Sequence, residues 1–249
     1  MGRGAIRVGI GGWTYEPWRG TFYPEGLRQA DELAHAAARL GTIEINGTFY
    51  GRQKRESFAK WRDAAAPGFV FTVKANRACV NRKRLDEGAE SVARFFEQGV
   101  TELGDKLGPI LWQLAATKRF DAREIAGFLA LLPREHDGMG LRHAMEPRHE
   151  SFDTPEFHAL AREHGVAVVT ADSAKYPAFG EATADFTYAR LQSAREDEPA
   201  GYPAGELDAW AGRARDWAAK GDVFVFFING AKVRAPAAAE ALIARLEAG

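Results

Sequence analysis

The sequence has little cysteine, no long apolar run and almost no net charge. Its one cysteine, Cys79, can form no internal disulfide, and zinc or iron–sulfur sites that need several cysteines from one chain are excluded. The longest apolar runs, such as 223–228, fall far short of the roughly 20 residues that a membrane-spanning helix needs. No apolar signal segment precedes the first strand-like run. We therefore expect a cytoplasmic protein that does not associate with membranes.

Basic and acidic side chains nearly cancel, with 33 of the first and 34 of the second, so no global field attracts nucleic acid or anionic lipid. Hydrophobic residues make up 46% and charged residues 27% of the chain, which is typical of a folded globular protein rather than a disordered one. No linker rich in proline, glycine or serine divides the chain. We predict a single domain over residues 1–249, although the length would also fit two small domains.

Short β-rich runs alternate with helical segments along the whole chain. Right-handed crossovers between eight parallel strands in about 250 residues are typical of a single-domain, TIM-like (β/α)8 barrel of the α/β class. An open doubly wound sheet remains the alternative, because the same alternation produces it. The predicted strands are 6–10, 42–45, 69–74, 110–113, 140–145, 166–170, 186–191 and 223–227.

Seven clear helical segments separate these strands. The predicted helices are 29–39, 56–65, 90–103, 122–132, 155–164, 206–219 and 237–248. Only residues 174–184 are available after the sixth strand, so the crossover helix there must be short or absent.

Polar side chains at the carboxyl ends of the strands form the candidate site, because barrel enzymes place their chemistry there. In the second strand the isoleucines share one face, so Glu44 and Asn46 take the inward face. The fifth strand repeats this pattern. The same alternation directs further polar side chains to the barrel mouth: Glu146, Arg148, Lys74, Arg190, Gln113, Asp172 and Asn229. The signal is weaker for Gln113, Asp172 and Asn229, because their strands are largely apolar on both faces. The first strand has glycines at the matching positions, which leaves empty space.

This combination of carboxylates, cations and amides favours a small anionic ligand as the partner, and a phosphorylated molecule is one such ligand. The planar forks of Arg148 and Arg190 suit a carboxylate or a phosphate. Glu44 or Glu146 would exchange a proton, while Lys74 or His149 would stabilise developing charge. The alternative is an internal ion-pair network that only fills the barrel, although buried ion pairs commonly add little stability over apolar packing.

Other chemistries are open but carry weaker signals. Lys74 could form a Schiff base with a carbonyl substrate if its pKa were lowered, although a salt-bridged lysine is the more common case. Glu44 and Glu146 could act as a glycosidase pair at a suitable separation. Only His143 and His149 lie near strand ends, so we predict no multi-histidine metal centre. Magnesium on the predicted carboxylates has no motif behind it, and the sequence identifies no cofactor.

Aromatic residues crowd the loops after the first two strands. Trp13 and Tyr50 are our candidates for ligand contact. Such rings stack on bases or sugars in some proteins, but they more often form an apolar plug over the barrel mouth. The aromatic residues and the basic run at 76–84 together suggest an alternative function, a non-catalytic module that binds nucleic acid. We do not favour this alternative. A protein-interaction scaffold is a third interpretation. The aromatic residues are Trp13, Tyr15, Trp18, Phe22, Tyr23, Phe49 and Tyr50.

Six segments occur in a fixed order along most of the chain and together resemble one family. They are GGWTYEPWRGTFYP at 11–24, IEINGTFY at 43–50, FTVKANR at 71–77, LGPILWQL at 107–114, EPRHESF at 146–152 and FVFFING at 224–230. The combination resembles the YecE-like proteins, domain of unknown function 72.

The resemblance implies a TIM-barrel-like fold and no established biochemical activity. It also implies that the family's Glu-x-Arg-His motif falls on Glu146, Arg148 and His149, and that its Glu-x-Asn motif falls on Glu44 and Asn46. The chain departs from the family pattern at two positions. Members often have proline at position 115, where this chain has alanine, and tryptophan at position 152, where it has phenylalanine. These changes affect the loops after the fourth and fifth strands.

Overall fold

A computed structural model describes residues 3–248 and contains a sheet of parallel strands wound into a barrel. A separate two-stranded antiparallel hairpin precedes the fifth barrel strand. The strands are β1 Ile6–Gly11, β2 Thr42–Ile45, β3 Val70–Lys74, β4 Leu107–Gln113, β5 Glu135–His136, β6 Met139–Gly140, β7 His143–Glu146, β8 Val166–Val168, β9 Thr170–Asp172, β10 Phe186–Leu191 and β11 Asp222–Phe227. The hairpin consists of β5 and β6.

The large sheet begins and ends on the same stretch of chain. Its order is β8-β7-β4-β3-β2-β1-β11-β10-β9, and β8 and β9 are the two halves of one extended segment that is interrupted at Val169. The first half pairs with β7 and the second half with β10. The strands therefore form a nearly closed barrel. The predicted (β/α)8 barrel is confirmed, and the open doubly wound alternative is wrong.

Helices cover the outside of the barrel, with short 3-10 turns in several loops. None of the helices in residues 3–248 has the length and apolar character that crossing a membrane requires. The helices are α1 Glu32–Arg39, α2 Gly47–Tyr50, α3 Arg55–Ala64, α4 Arg77–Val80, α5 Ala89–Phe96, α6 Ala122–Ala130, α7 Pro155–Glu163, α8 Ala204–Ala218 and α9 Ala235–Glu247. The short α2 and α4 directly follow β2 and β3 and were not predicted.

Two predicted elements differ from the structure for local reasons, and a third region agrees with its prediction. The predicted strand 140–145 is divided between the β5–β6 hairpin and β7, because Asp137 and Gly138 adopt φ values of 50° and 73° and turn the chain tightly. The predicted helix 90–103 ends at Phe96, and a 3-10 helix over Val100–Lys106 follows. Residues 173–185 contain no helix, so the crossover helix after the sixth strand is absent.

The barrel interior is apolar in the middle and polar at both ends. Leu111, Tyr188, Phe224 and Phe226 belong to the buried cluster inside the barrel, and a larger cluster lies between the barrel and the helices. At the amino ends of the strands, Arg142 donates to Asp222 over 2.9 Å. The polar groups that matter for function lie at the opposite end.

Strand β1 approaches β2 closely at Gly9, which pairs with Thr42. A Cβ atom at position 9 would lie 1.7 Å from the Thr42 carbonyl oxygen, so only glycine fits without a shift of the backbone. This contact fixes the spacing of the two strands beneath the mouth.

We expect Gly9→Ala to lower the free energy of unfolding by about 3 kcal/mol or more, because the clash is with backbone that cannot rotate away. Gly212→Ala in α8 is the matched control, since a Cβ there meets nothing within 4 Å. It should raise the free energy by about 0.5–1 kcal/mol through helix propensity. Urea denaturation followed by circular dichroism measures both. Equal effects of the two substitutions would contradict the strand-contact explanation.

Candidate functional site

A buried arginine joins two glutamates from different strands near the carboxyl end of the barrel. Arg190 of β10 donates from Nε and Nη2 to the Glu44 carboxylate over 3.0 and 2.9 Å, and from Nη1 to Glu146 Oε2 over 2.5 Å. All three side chains are at most 1% exposed. Burial alone would lower the pKa of Arg190, but the two glutamates outweigh it and raise that pKa. The arginine therefore stays charged and ties β2, β7 and β10 together through the interior.

Glu146 has its hydrogen-bonding capacity filled by four donors. Its Oε2 accepts from Gln113 Nε2 over 2.7 Å as well as from Arg190, and its Oε1 accepts from Arg148 Nε over 3.1 Å and Gln192 Nε2 over 3.3 Å. Burial raises the pKa of Glu146, but Arg190, Arg148, the Gln113 hydrogen bond and Lys74 together lower it by more, so the pKa lies below its usual value. A carboxylate held in this way remains ionised and is a poor proton donor.

Glu44 has a similar environment on the other side of Arg190. Its Oε2 also accepts from the Tyr188 hydroxyl over 2.7 Å, and the same hydroxyl lies 3.0 Å from Thr72 Oγ1. Burial, with a further contribution from Glu44, raises the pKa of Tyr188 well above its usual value. Tyr188 and Thr72 were absent from the predicted set. Each lies two positions before a predicted residue, so the same strand alternation would have identified both.

A cavity of about 550 Å³ opens above this network at the carboxyl ends of the strands. Its size suits a small molecule. None of the described residues that line it is an aspartate or a glutamate, because Glu44 and Glu146 lie beneath the wall. The cationic side chains on the wall are Lys74, Arg148, Arg190 and Lys232. Amides and aromatic rings complete it, among them Asn46, Gln113, Asn229, Trp13, Tyr50 and Trp61.

Lys74, at the end of β3, lies on the cavity wall and is only 7% exposed. Its Nζ makes no hydrogen bond or ion pair with any residue in 3–248, and it lies 4.2 Å from the centre of the Phe49 ring. The salt bridge that we considered the more common case does not form. Burial and then Arg190 lower the pKa of Lys74 to about 8, and Glu44 and Glu146 offset this only in part.

Arg148 and Lys232 provide the remaining positive charge at the mouth. The Arg148 guanidinium lies 4.2 Å from the centre of the Tyr176 ring, and only its Nε is hydrogen-bonded among the described residues. Lys232 Nζ lies 4.5 Å from the centre of the Tyr15 ring, and burial lowers the pKa of this lysine. Lys232 begins a short 3-10 helix, Lys232–Arg234, after the last strand, where strand alternation makes no prediction.

The predicted amides and aromatic rings also reach the cavity. Asn46 donates to the Glu44 carbonyl oxygen over 3.3 Å, and Asn229 donates to Gln192 over 3.4 Å. Trp13 packs edge-on against Trp61 with 5.3 Å between ring centres.

Other aromatic side chains of the mouth loops pack against one another, as in an apolar plug, and Tyr15 and Trp18 are one such pair. Among the large hydrophobic residues in 3–248, only Tyr50 is exposed. In the basic run, Arg84 pairs with Asp86 and Arg82 donates to Ser91.

Asp172 does not line the cavity. Its carboxylate accepts from Ser193 Oγ over 3.0 Å and from the Tyr202 hydroxyl over 2.9 Å, and Tyr202 packs between the barrel and the helices. Ala167 and Val169 face the barrel interior, so the alternation of the sixth strand turns Asp172 to the outer face. Our expectation that Asp172 faces the mouth is corrected on this point.

His149 is also absent from the cavity wall. Its Nδ1 accepts from the Ser151 backbone N–H over 3.1 Å and caps the short 3-10 helix Glu150–Phe152. The other ring nitrogen lies 3.5 Å from Arg119. In the described part of the chain, no three histidine, cysteine, aspartate or glutamate side chains are grouped as metal ligands would be.

The protein is therefore a parallel α/β barrel of the TIM type. A cationic cavity lies over its buried Glu–Arg–Glu network. A family model described as "Protein of unknown function DUF72" matches residues 7–249, so the chain belongs to the DUF72 family. This confirms the resemblance found in the sequence. A comparison with curated protein sequences finds no match.

Solved structures of the family share the fold. A DUF72 family protein from Thermotoga maritima is 24% identical, covers 98% of each chain and has a TM-score of 0.76. One from Enterococcus faecalis is 16% identical, covers 97% of this chain and 95% of its own, and has a TM-score of 0.77. D-psicose 3-epimerase from Clostridium cellulolyticum H10 is 12% identical over 97% and 96% of the two chains, with a TM-score of 0.51. At these identities the likeness concerns the fold alone.

We expect Arg190→Met to lower the free energy of unfolding by about 3–5 kcal/mol, because it leaves two buried carboxylates without their partner. Adding Glu44→Gln and Glu146→Gln to the same chain should recover part of this loss, since no uncompensated charge then remains. Arg213→Met on the exposed surface of α8 is the control. Chemical denaturation at pH 7 measures all variants. A triple variant less stable than Arg190→Met would contradict the charge explanation.

Proposed function

We propose that this protein binds a small anionic molecule in the cavity at the barrel mouth and carries out acid–base chemistry on it through Lys74. The observation that carries the proposal is the wall of the cavity, which holds four cationic side chains and no carboxylate among the described residues. Arg148 and Arg190 are balanced by the two glutamates beneath the wall, so Lys74 and Lys232 are the excess positive charge, and in a partly desolvated site this excess favours an anion. We retain the single domain and the cytoplasmic location expected from the sequence as parts of this proposal.

Arg148 is the main candidate for holding the anionic group. Its two terminal nitrogens make no hydrogen bond within residues 3–248, so they are free to form a two-point contact with a carboxylate or a phosphate. Arg190 contributes charge from the cavity wall but donates its own hydrogen bonds to Glu44 and Glu146. Lys232 adds charge on the side of the last strand.

Lys74 takes the proton-transfer role that the sequence suggested for Glu44 or Glu146. Both carboxylates lie beneath the wall and already accept several hydrogen bonds. Lys74 faces the cavity, and a pKa of about 8 lets it gain and lose a proton near neutral pH. A non-catalytic anion-binding module would use the same wall without this step. Nucleic acid is the less favoured ligand, because most rim aromatics pack against one another.

We expect Arg148→Ala to weaken the binding of inorganic phosphate by about 10–100-fold, which corresponds to the loss of a charged hydrogen-bonding partner. Arg148→Lys should weaken it less, since it keeps the charge and loses the fork. Isothermal titration calorimetry measures the affinities, with Arg213→Ala as a surface control. Unchanged binding in Arg148→Ala would refute the assignment, and a steep salt dependence with single-stranded DNA would favour nucleic acid instead.

We expect the affinity for sulfate to fall as the pH rises from 7 to 9. Protonated Lys74 attracts the anion, and its pKa of about 8 means that this charge is lost across that range. Sulfate keeps its own charge there, so the change reports on the protein. Lys74→Met should bind more weakly and lose most of the pH dependence, whereas Gly212→Ala should behave as the parent. A step near pH 8 that persists in Lys74→Met would contradict this role.

A further inference from the structure

We propose that the anion carries an aldehyde or ketone group and that Lys74 Nζ forms an imine with that carbonyl carbon. This inference rests on the proposed anion site and names the class of substrate it takes. It follows from an amine that faces the cavity, lacks any polar partner in residues 3–248 and stands among fixed cationic groups.

The backbone of Lys74, which carries the amine, is held in place by its neighbours. Lys74 ends a strand that pairs with β2 on one side and β4 on the other, and its carbonyl oxygen accepts from Thr48 Oγ1 over 2.6 Å. The Phe49 ring packs against the other end of the side chain, 4.2 Å from Nζ. A nucleophile held in this way loses little freedom when it attacks a bound carbonyl.

The surroundings of Lys74 also favour the neutral amine that the reaction needs. Burial and the nearby Arg190 guanidinium lower the pKa to about 8, the means by which a lysine becomes a nucleophile near neutral pH. About half of the Lys74 side chains are then neutral at pH 8. For an ordinary lysine, with a pKa of about 10.4, the fraction is well under one in a hundred.

Lys232 is the other lysine on the wall, and it is less suited to this step. Two rings, those of Tyr15 and Trp18, lie 4.5 and 5.6 Å from its ammonium and stabilise the protonated form, whereas Lys74 has one such ring, that of Phe49. Burial lowers the pKa of Lys232, but it lacks the further lowering that the Arg190 guanidinium causes at Lys74. We therefore assign Lys232, with Arg148, to holding the anionic group of the substrate. Lys74 is left to react with the carbonyl.

The proposed step conserves atoms and charge. An ammonium group loses one proton, its nitrogen attacks the carbonyl carbon, and the carbinolamine then releases the former carbonyl oxygen as water. That water carries two hydrogens from the nitrogen, and the iminium that remains has the same single positive charge as the starting ammonium. Glu44 and Glu146, which favour a positive charge on Lys74, lie beneath it in both states. Neither oxidant nor reductant is required.

The experiment incubates the intact protein at pH 8 with pyruvate and sodium cyanoborohydride, which reduces an iminium to a stable secondary amine, and maps the adduct by peptide mass spectrometry. We expect the adduct on Lys74 in at least about tenfold excess over Lys220. Lys220 is exposed after α8 and serves as an ordinary lysine in the same sample. The preference should be greatest near pH 8 and shrink as the pH approaches 10, where exposed lysines in general begin to lose their protons.

Two variants and a neutral probe complete the test. Lys74→Arg should abolish the site-specific adduct, and Lys220→Arg should leave it unchanged. If Lys74→Arg does not fold, the map of the parent protein still decides the site of reaction. Pyruvamide, which keeps the α-keto group of pyruvate but carries no charge, should label Lys74 more slowly than pyruvate, and Arg148→Ala should remove most of the difference.

The outcomes separate this inference from the anion site. If phosphate and pyruvate bind in a manner that depends on Arg148 but no adduct forms on Lys74, the imine is refuted and the anion site stands. If neither binding nor adduct is found, both fail. Labelling spread evenly over exposed lysines refutes the imine. Equal labelling of Lys74 by pyruvate and pyruvamide refutes the anionic class of substrate.

Discussion

The pairing of Arg190 with Glu44 and Glu146 is the constraint on which the functional end of the barrel depends. Removing three charges from water is costly, and here the cost is offset only because each charged group finds several hydrogen-bonding partners. The arrangement joins strands that are not neighbours in the sheet. It also decides which charges remain available, because Arg190 and Arg148 together balance the two carboxylates. Lys74 and Lys232 are left as the uncompensated cations of the cavity wall.

The fold was predictable because its signal is repeated in every strand–helix unit. Alternation of apolar runs and helical segments placed the barrel strands within a few residues of their positions. Closure was not predictable, since it depends on one segment that pairs in two directions on either side of Val169. The β5–β6 hairpin was missed although Asp137 and Gly138 form a dipeptide typical of tight turns. The Asp137–Gly138 pair indicates this turn, but the strand pattern that we read over 140–145 led to the prediction of one continuous strand instead.

The residues of the site could be predicted from the sequence better than the hydrogen bonds and ion pairs between them. The period of two in a strand was enough to place Glu44, Lys74, Glu146 and Arg190 at one end of the barrel. It could not show that Arg190 would engage both glutamates or that Lys74 would lack an ion pair, because these depend on distances between strands. Asp172 was misplaced where both faces of a strand are apolar. Whether the residues on the wall bind and react as proposed stays a prediction.

The absence of a side chain at position 11 allows Asn46 and Ile228 to pack closely against the first strand at the cavity wall. A Cβ atom on Gly11 would lie 2.9 Å from Asn46 Nδ2 and 3.0 Å from Ile228 Cδ1, in space that now belongs to the cavity wall. In a homologous protein with alanine at this position, the side chains that correspond to Asn46 and Ile228 would have to move, and the wall of the cleft would change shape there. Comparing position 11 among homologues is a direct way to group them by the shape of this part of the wall.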